Sequence, residues 1–196
     1  MLQICFTFLE ASIASVFLVP FFLYLNKTRL HNWKRTVFLM LFSIYLAGVY
    51  AVAGLPNITY IRFDPNFNFV PFRYMFTAIT STILNVILFF PFGFFLFLTW
   101  KPFRHPCLNL LFGLFVSTAV ETLQIFTLRA TDINDLITNT LGTFFGWMLA
   151  WLLSRRYPHH FPDGSRNEIS IVFGVVLFVM FFLHPFLSSL IWRIIP

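Results

Sequence analysis

Charged residues are scarce in this sequence. Asp, Glu, Lys and Arg make up only 10% of its 196 residues, whereas a soluble domain carries about 25%. The hydrophobic share is 59%, and 30 residues are Phe. A chain with so little polar surface cannot coat a water-exposed domain, which excludes a soluble globular protein. The composition predicts a single integral membrane domain.

Cysteine is also scarce, since the chain has only Cys5 and Cys107. The topology predicted below places them at opposite membrane faces, about 30 Å apart, whereas a disulfide requires Cα atoms about 4.4–6.8 Å apart. Neither cysteine has a metal-binding companion. The His159–His160 pair adjoins prolines and has no further ligand nearby, whereas a structural metal site uses four. The sequence therefore predicts no disulfide, no metal site and no bound cofactor.

Six apolar segments are long enough to cross a hydrocarbon core of about 30 Å, which takes about 20 helical residues. They lie near residues 4–25, 36–54, 80–99, 107–127, 134–153 and 169–192. The first segment has no Lys or Arg before it and exceeds the core of about 7–15 residues in a signal peptide, so we expect it to remain as a helix. The expected fold class is an all-α, polytopic transmembrane bundle of about six helices.

The Lys and Arg residues divide unequally between the two ends of these helices. Nine fall in loops at one end and four at the other. The nine are Lys27, Arg29, Lys34, Arg35, Lys101, Arg104, Arg155, Arg156 and Arg166, and the four are Arg62, Arg73, Arg129 and Arg193. Cytoplasmic loops are enriched in Lys and Arg, so the split predicts that both termini lie outside. The net charge of +6 is then explained by anionic lipid headgroups, and no nucleic-acid partner is expected.

The longest connection, residues 55–79, contains Pro56, Pro65 and Pro71 among aromatic and Asn residues. Proline removes a backbone donor and resists helix, so we expect an irregular or extended loop. Its aromatic rings suit the membrane interface. The loop is interpreted as a cap over the outer end of the bundle or, alternatively, as a simple tether.

Polar side chains concentrate between residues 121 and 142. Glu121 and Gln124 share one face of the fourth predicted helix, and Asp135, Asn139 and Gly142 recur along one face of the fifth. A charge at the centre of a membrane span costs about 2.5–3.5 kcal/mol, so such residues are rarely accidental. The topology brings both faces together at the outer leaflet, with Arg73 at a similar level.

We therefore predict an outward-opening polar cavity lined by Asn85, Glu121, Gln124, Arg129, Asp132, Asp135 and Asn139. Packing is the competing interpretation, because amides and small residues join helices in membranes, and Asp132 or Asn134 can cap the fifth helix. Glu121 lies near a helix C-terminus, where the dipole disfavours a carboxylate, so it needs a partner such as Arg129 or a proton. Glu10, near Ser12 and Ser15, either joins this cavity or lies at the interface.

Four stretches of the sequence resemble the VanZ-like family of bacterial membrane proteins, whose namesake is linked to teicoplanin resistance. They are FNFVPF (67–72), NVILFFPFG (85–93), ETLQIF (121–126) and RATDINDLITNTLG (129–142). The resemblance is strongest over residues 67–150. It implies as family positions Asn85, Pro91, Gly93, Glu121, Gln124, Asp132, Asp135, Asn139 and Gly142. Many members resemble a five-helix arrangement that begins near residue 36, so residues 1–30 are expected to be an additional transmembrane helix before a family domain over 31–196.

The resemblance implies a multi-pass protein of the bacterial cell membrane that alters how the cell surface meets lipoglycopeptides. Its expected partners are membrane lipids and a lipid-linked wall precursor or the lipoglycopeptide itself. The alternative is a membrane-embedded enzyme in which Glu121 and Asp135 act as acid and base or hold a metal ion for chemistry on a lipid-linked substrate. A transporter comes third, because neither repeat symmetry nor broken helices are evident.

Overall fold

A computed structural model describes residues 2–63, 65–72, 79–156 and 164–194 of the chain. Six helices in these residues are long and apolar enough to cross a membrane, over 10–30, 33–52, 79–99, 106–124, 133–156 and 167–191. Each overlaps one of the six segments predicted from the sequence, which confirms the all-α, multi-pass class. The contacts divide the chain into two units, Met1–Ile61 with Ser165–Pro196, and Arg62–Gly164.

The first unit contains the helices of both chain ends. Its elements are α1 (Leu2–Leu25), a π-helical turn (Asn26–Leu30), α2 (Trp33–Val52), α6 (Arg166–Phe178), a second π-helical turn (Val179–Leu183) and α7 (His184–Ile194). Helix α1 packs against α2 and α7, and α2 packs against α6. Fully buried Leu18, Phe22, Leu39 and Phe42 form part of its core.

A partly buried ion pair connects α2 to α6 in this unit. Arg35 Nε donates to Glu168 Oε2 at 2.9 Å, and a second guanidinium nitrogen contacts Glu168 Oε1. Such two-pronged contacts match the fork of the guanidinium to the carboxylate. The start of α2 is further fixed by Asn32, whose side chain accepts from the Arg35 amide at 3.2 Å.

The second unit contains three long helices and two very short strands. Its elements are β1 (Phe67–Asn68), α3 (Ile79–Thr99), a 3-10 turn (Lys101–Arg104), α4 (Pro106–Gln124), β2 (Thr131–Asp132) and α5 (Ile133–Arg156). Helix α5 packs against both α3 and α4. The unit is therefore centred on α5, the helix that carries Asp135 and Asn139.

Glycines allow α3 and α5 to approach each other closely. A Cβ atom on Gly146 would lie 1.9 Å from the carbonyl oxygen of Phe90, and one on Gly142 would lie 2.3 Å from that of Val86. Real Cβ atoms do not tolerate either distance, so only glycine fits. Small residues at helix contacts serve this purpose in membranes.

The loop before α3 runs as an extended segment along the connection between α4 and α5. Strand β1 pairs in parallel with β2, so that Asn68 lies beside Asp132, and the Thr131 amide donates to the Asn66 carbonyl at 2.8 Å. We call residues 65–72 the strap. Residues 65–72 thus have the extended conformation that was one of the two expected for this loop, and backbone hydrogen bonds fix them beside the α4–α5 connection. That the loop caps the outer end of the bundle stays a prediction. Residues 73–78, including Arg73, lie outside the described residues.

Candidate functional site

Glu121 lies in the last turn of α4 and is only 4% exposed. Its Oε2 accepts a hydrogen bond from the Asp132 amide at 2.9 Å, and its carbonyl accepts one from the Thr131 hydroxyl at 3.1 Å. The sequence pointed to Arg129 or a proton as the partner of this carboxylate. The structure gives it a backbone amide as a partner, which no residue type in the sequence reveals. That Glu121 also pairs with Arg129 or holds a proton stays a prediction.

Asp132 joins three parts of the site. Its Oδ1 accepts from the Asn134 amide at 2.8 Å, which caps the start of α5. Its Oδ2 accepts from the Asn68 side chain on the strap at 3.1 Å. Capping was one of the two interpretations left open for Asp132, and the structure adds the contact with the strap. Asn134, the other capping candidate, accepts from the Phe72 amide at 2.6 Å.

Asp135 lies in the first turn of α5 and brings α3 into the site. The Asn85 side chain of α3 hydrogen-bonds to its carboxylate, and the exposed Arg129 guanidinium acts on it electrostatically. Asp135 and Asp132 in turn act on Glu121. The cluster therefore combines the carboxyl groups of Glu121, Asp132 and Asp135 with the guanidinium of Arg129.

Asn139 continues the polar face one turn further along α5. It is 4% exposed, and its amide nitrogen donates to Ser117 Oγ on α4 at 2.9 Å. The buried carbonyl oxygen of the Asn139 side chain has no hydrogen-bond partner among the described residues. Gln124 is also buried, three residues after Glu121. Both faces predicted from helical spacing are therefore present on α4 and α5.

Residues that hold the three helices together lie further from the α4–α5 connection than these polar residues. A Cβ atom on Gly93 would approach the Thr143 carbonyl oxygen to 2.0 Å, and one on Gly113 would approach the Thr143 side chain to 2.6 Å. Asn109, fully buried, donates to the Gly93 carbonyl at 3.1 Å. Pro91 lies within α3. These contacts hold the three helices at the spacing on which the polar contacts above depend.

The structure links five of the seven predicted lining residues through hydrogen bonds or electrostatic interactions around the α4–α5 connection, namely Asn85, Glu121, Arg129, Asp132 and Asp135, and it buries Gln124 and Asn139 on the same two helices. That these residues line an open cavity stays a prediction. Glu10 contacts His184 and Ser188, which belong to the first unit. His159 and His160 fall outside the described residues. Where residues are described, no group of three His, Cys, Asp or Glu side chains is arranged to hold a metal ion.

Comparison with known proteins gives the family. A family model described as VanZ/LLP1 matches residues 38–154, which include every residue of the polar cluster. The chain belongs to the VanZ/LLP1 family. It is also 35% identical over 101 residues to Protein VanZ of Enterococcus faecium, a match that covers 51% of this chain and 60% of that protein. No solved structure matches this chain.

Several residues of this VanZ/LLP1 site escaped the sequence analysis. In the sequence, Asn68 drew attention only as part of FNFVPF (67–72), one of the stretches that resemble the family. Its contact with Asp132 depends on the pairing of two strands of two residues each. Ser117, a small residue one turn before Glu121 on α4, is the acceptor for Asn139.

Proposed function

We propose that this chain acts in the bacterial cell membrane to change how the cell surface meets lipoglycopeptide antibiotics such as teicoplanin. Family membership supports a role related to that of VanZ, and the observation that carries the proposal is the buried Glu121 carboxylate held by the Asp132 amide. A purely structural amide contact does not require a carboxylate, because a neutral oxygen accepts the same hydrogen bond at lower cost of burial.

The site of action in this proposal is the outer leaflet. The nine-to-four division of Lys and Arg supports an orientation with both termini outside, which puts the end of α4 and the start of α5 at the outer face. Lipoglycopeptides carry an acyl chain and act on lipid-linked wall precursors at that face. A polar cluster at this depth meets headgroups and precursors directly.

The charge of the cluster defines the chemistry of the ligand. Three carboxylates with one guanidinium favour a group that brings positive charge, and the guanidinium of Arg129 offers a place for an anionic part of the same ligand. The ligand class proposed is therefore an amine-bearing or zwitterionic group on a lipid headgroup, a wall precursor or the drug.

An enzyme is the second candidate. Glu121 and Asp135 interact electrostatically, which is how general acid and base residues are often paired. A membrane-embedded enzyme would turn over a lipid or lipid-linked substrate. Purified protein in lipid, assayed for product formation with such a substrate, distinguishes turnover from binding alone.

The central test compares Glu121→Gln with Glu121→Leu in a teicoplanin-susceptible host. The Gln amide oxygen can still accept from the Asp132 amide, so Glu121→Gln should reach the membrane at the normal level and lose protection. Glu121→Leu removes the acceptor, and a buried amide without a partner costs about 1–3 kcal/mol, so this variant should also accumulate poorly. The measurements are the minimal inhibitory concentration and the amount of protein in the membrane.

Thr122→Ala serves as the matched control. Thr122 is the exposed neighbour of Glu121, and its hydroxyl contacts only the Thr118 carbonyl in the contacts described here. This variant should protect as well as the unmodified chain. Full protection by Glu121→Gln would leave Glu121 with a structural role and remove the observation on which the proposal rests.

A further inference from the structure

The first unit contains an open cavity that plays no part in the function proposed above. Its volume is about 370 Å³, within the range of about 300–1,000 Å³ typical of small-molecule sites. Glu10 from α1, Tyr50 from α2 and His184 and Ser188 from α7 contribute to its wall, and Asn57 and Thr59 form its rim. Glu10 and His184 lie outside the stretch that matches the family model.

Glu10 is the charged centre of this cavity. Its Oε2 lies 2.5 Å from His184 Nε2, and its Oε1 accepts from the Ser188 hydroxyl at 3.3 Å. The Glu10 side chain is 24% exposed and that of His184 is 9% exposed. The carboxylate therefore faces the cavity, while the imidazole behind it is buried.

Hydrogen bonds to backbone carbonyl groups hold the residues around the cavity in place. Pro185 has no N–H, so it cannot bond to the Phe181 carbonyl one turn earlier, and that carbonyl accepts from the Ile58 amide at 3.1 Å. The Tyr50 hydroxyl donates to the Pro56 carbonyl. A π-helical turn immediately precedes His184, and such turns are frequent at functional sites.

The hydroxyl groups of the wall all direct their hydrogens into the protein. Tyr50 donates to Pro56, Thr59 to Asn57, Ser188 to Glu10 and Ser189 to Phe186. A hydroxyl that has donated its hydrogen offers only lone pairs to a ligand. Apart from the Asn57 amide nitrogen and the His184 imidazole, the polar side chains of the cavity thus offer acceptor oxygens around the Glu10 carboxylate, and a cation rich in N–H donors complements them.

We propose that this cavity binds a primary ammonium group, supplied by an ethanolamine-type lipid headgroup or by a soluble amine. An ammonium carries three donors and one positive charge, which matches the acceptor-lined wall around Glu10. A trimethylammonium group has the same charge and no N–H donor. The site therefore distinguishes ethanolamine from choline by hydrogen bonding and not by charge.

The test uses the full chain in phosphatidylglycerol nanodiscs, which contain neither group. In the soluble arm, glycerophosphoethanolamine and glycerophosphocholine are titrated by calorimetry. In the lipid arm, phosphatidylethanolamine or phosphatidylcholine is added to the discs, and lipid retained on the protein is counted by native mass spectrometry. The ethanolamine compound should bind at least about tenfold more tightly than the choline compound in one arm or both, since hydrogen bonds to charged groups are the stronger ones.

Variants locate the site. Glu10→Gln keeps the shape and removes the charge, so it should weaken ethanolamine binding about tenfold or more. Ser188→Ala should weaken ethanolamine binding less. Ser15→Ala is the matched control and should leave binding unchanged, because Ser15 is also on α1 and its hydroxyl donates to the Ser12 carbonyl. If Glu10→Gln fails to fold, the proposal is tested by the binding of ethanolamine to Ser188→Ala and by the comparison of ethanolamine with choline on the unmodified chain.

Each outcome has a defined meaning. Preference in the lipid arm alone identifies a headgroup as the source, and preference in the soluble arm identifies a free amine. Equal binding of choline and ethanolamine, no binding in either arm, or binding unchanged by Glu10→Gln and Ser188→Ala would each overturn the proposal. Teicoplanin protection is measured separately on Glu121 variants, so either proposal can fail without the other.

Discussion

The glycine contact between α3 and α5 leads to a quantitative prediction for Gly146→Ala. The new Cβ atom would lie 1.9 Å from the Phe90 carbonyl oxygen, a deficit of about 1.5 Å against the 3.4 Å of an ordinary contact. The obstacle is backbone, so no side-chain rotation relieves it and the helices must separate. Such overpacking costs about 1–3 kcal/mol, whereas replacing a helical Gly by Ala returns about 0.5–1 kcal/mol.

We expect Gly146→Ala to lower the free energy of unfolding by about 1–2 kcal/mol. A change of 1 kcal/mol shifts Tm by about 2–4 °C in a chain of this size, so the melting temperature should fall by several degrees. The assay heats purified protein in detergent and follows the fraction that elutes as a single species on size exclusion.

Gly48→Ala and Gly174→Ala are the matched controls, because a Cβ atom on either glycine would meet nothing within 4 Å. Both substitutions are made in helices, α2 and α6, and they should leave the melting temperature unchanged or raise it slightly. If Gly146→Ala proved as stable as these two variants, the close approach of α3 and α5 would be wrong, and with it the spacing of the polar cluster on α5.

Three further predictions concern orientation, the ion pair and coupling within the cluster. A membrane-impermeant thiol reagent should label the exposed Cys107 only after cells are permeabilised; labelling on intact cells would reverse the orientation and move the polar cluster to the cytoplasmic leaflet. Glu168→Ala leaves the partly buried Arg35 guanidinium without this carboxylate and should destabilise the chain by about 1–3 kcal/mol in the heating assay; unchanged stability would mean that the pair contributes nothing. Glu121→Gln and Asp135→Asn should combine to a smaller loss of teicoplanin protection than the product of the single losses, since the two carboxylates interact, whereas independent sites add within about 0.3–0.5 kcal/mol; strictly multiplicative losses would refute a shared site.

The helices and the polar faces could be predicted from the sequence because both depend on periodic patterns. Apolar length gives the spans, and the spacing of Glu121 with Gln124 and of Asp135 with Asn139 gives two faces that the structure retains. The contacts that hold these residues depend on pairing between distant segments. Asn68 meets Asp132 only because two strands of two residues each lie side by side, and no local pattern predicts so short a pairing.

The partners of the carboxylates show the same limit. Glu121 was expected near an arginine or a proton, since a side-chain charge is visible in a sequence and a backbone amide is not. Glu10 was left between two locations, and its partners His184 and Ser188 are more than 170 residues away along the chain. His184 attracted no notice because a single His in an apolar segment has no motif around it. In both cases tertiary pairing decided the outcome.

The depth of the polar cluster favours a ligand at the membrane boundary over a path through the membrane. Glu121 is three residues from the end of α4, about 4.5 Å along the helix, and Asp135 is in the first turn of α5. Asn139 is the deepest lining residue of α5, about 9 Å from its start, while the 24 residues of α5 extend about 36 Å. Below Asn139, Gly142 and Gly146 close α5 against α3 with no room for a side chain. A transporter needs polar groups near the midplane and a gap that opens on both sides, whereas this arrangement ends in the tightest packing of the unit. We therefore expect the proposed ligand of the cluster to enter and leave by the same face, as a headgroup or a surface-bound drug does.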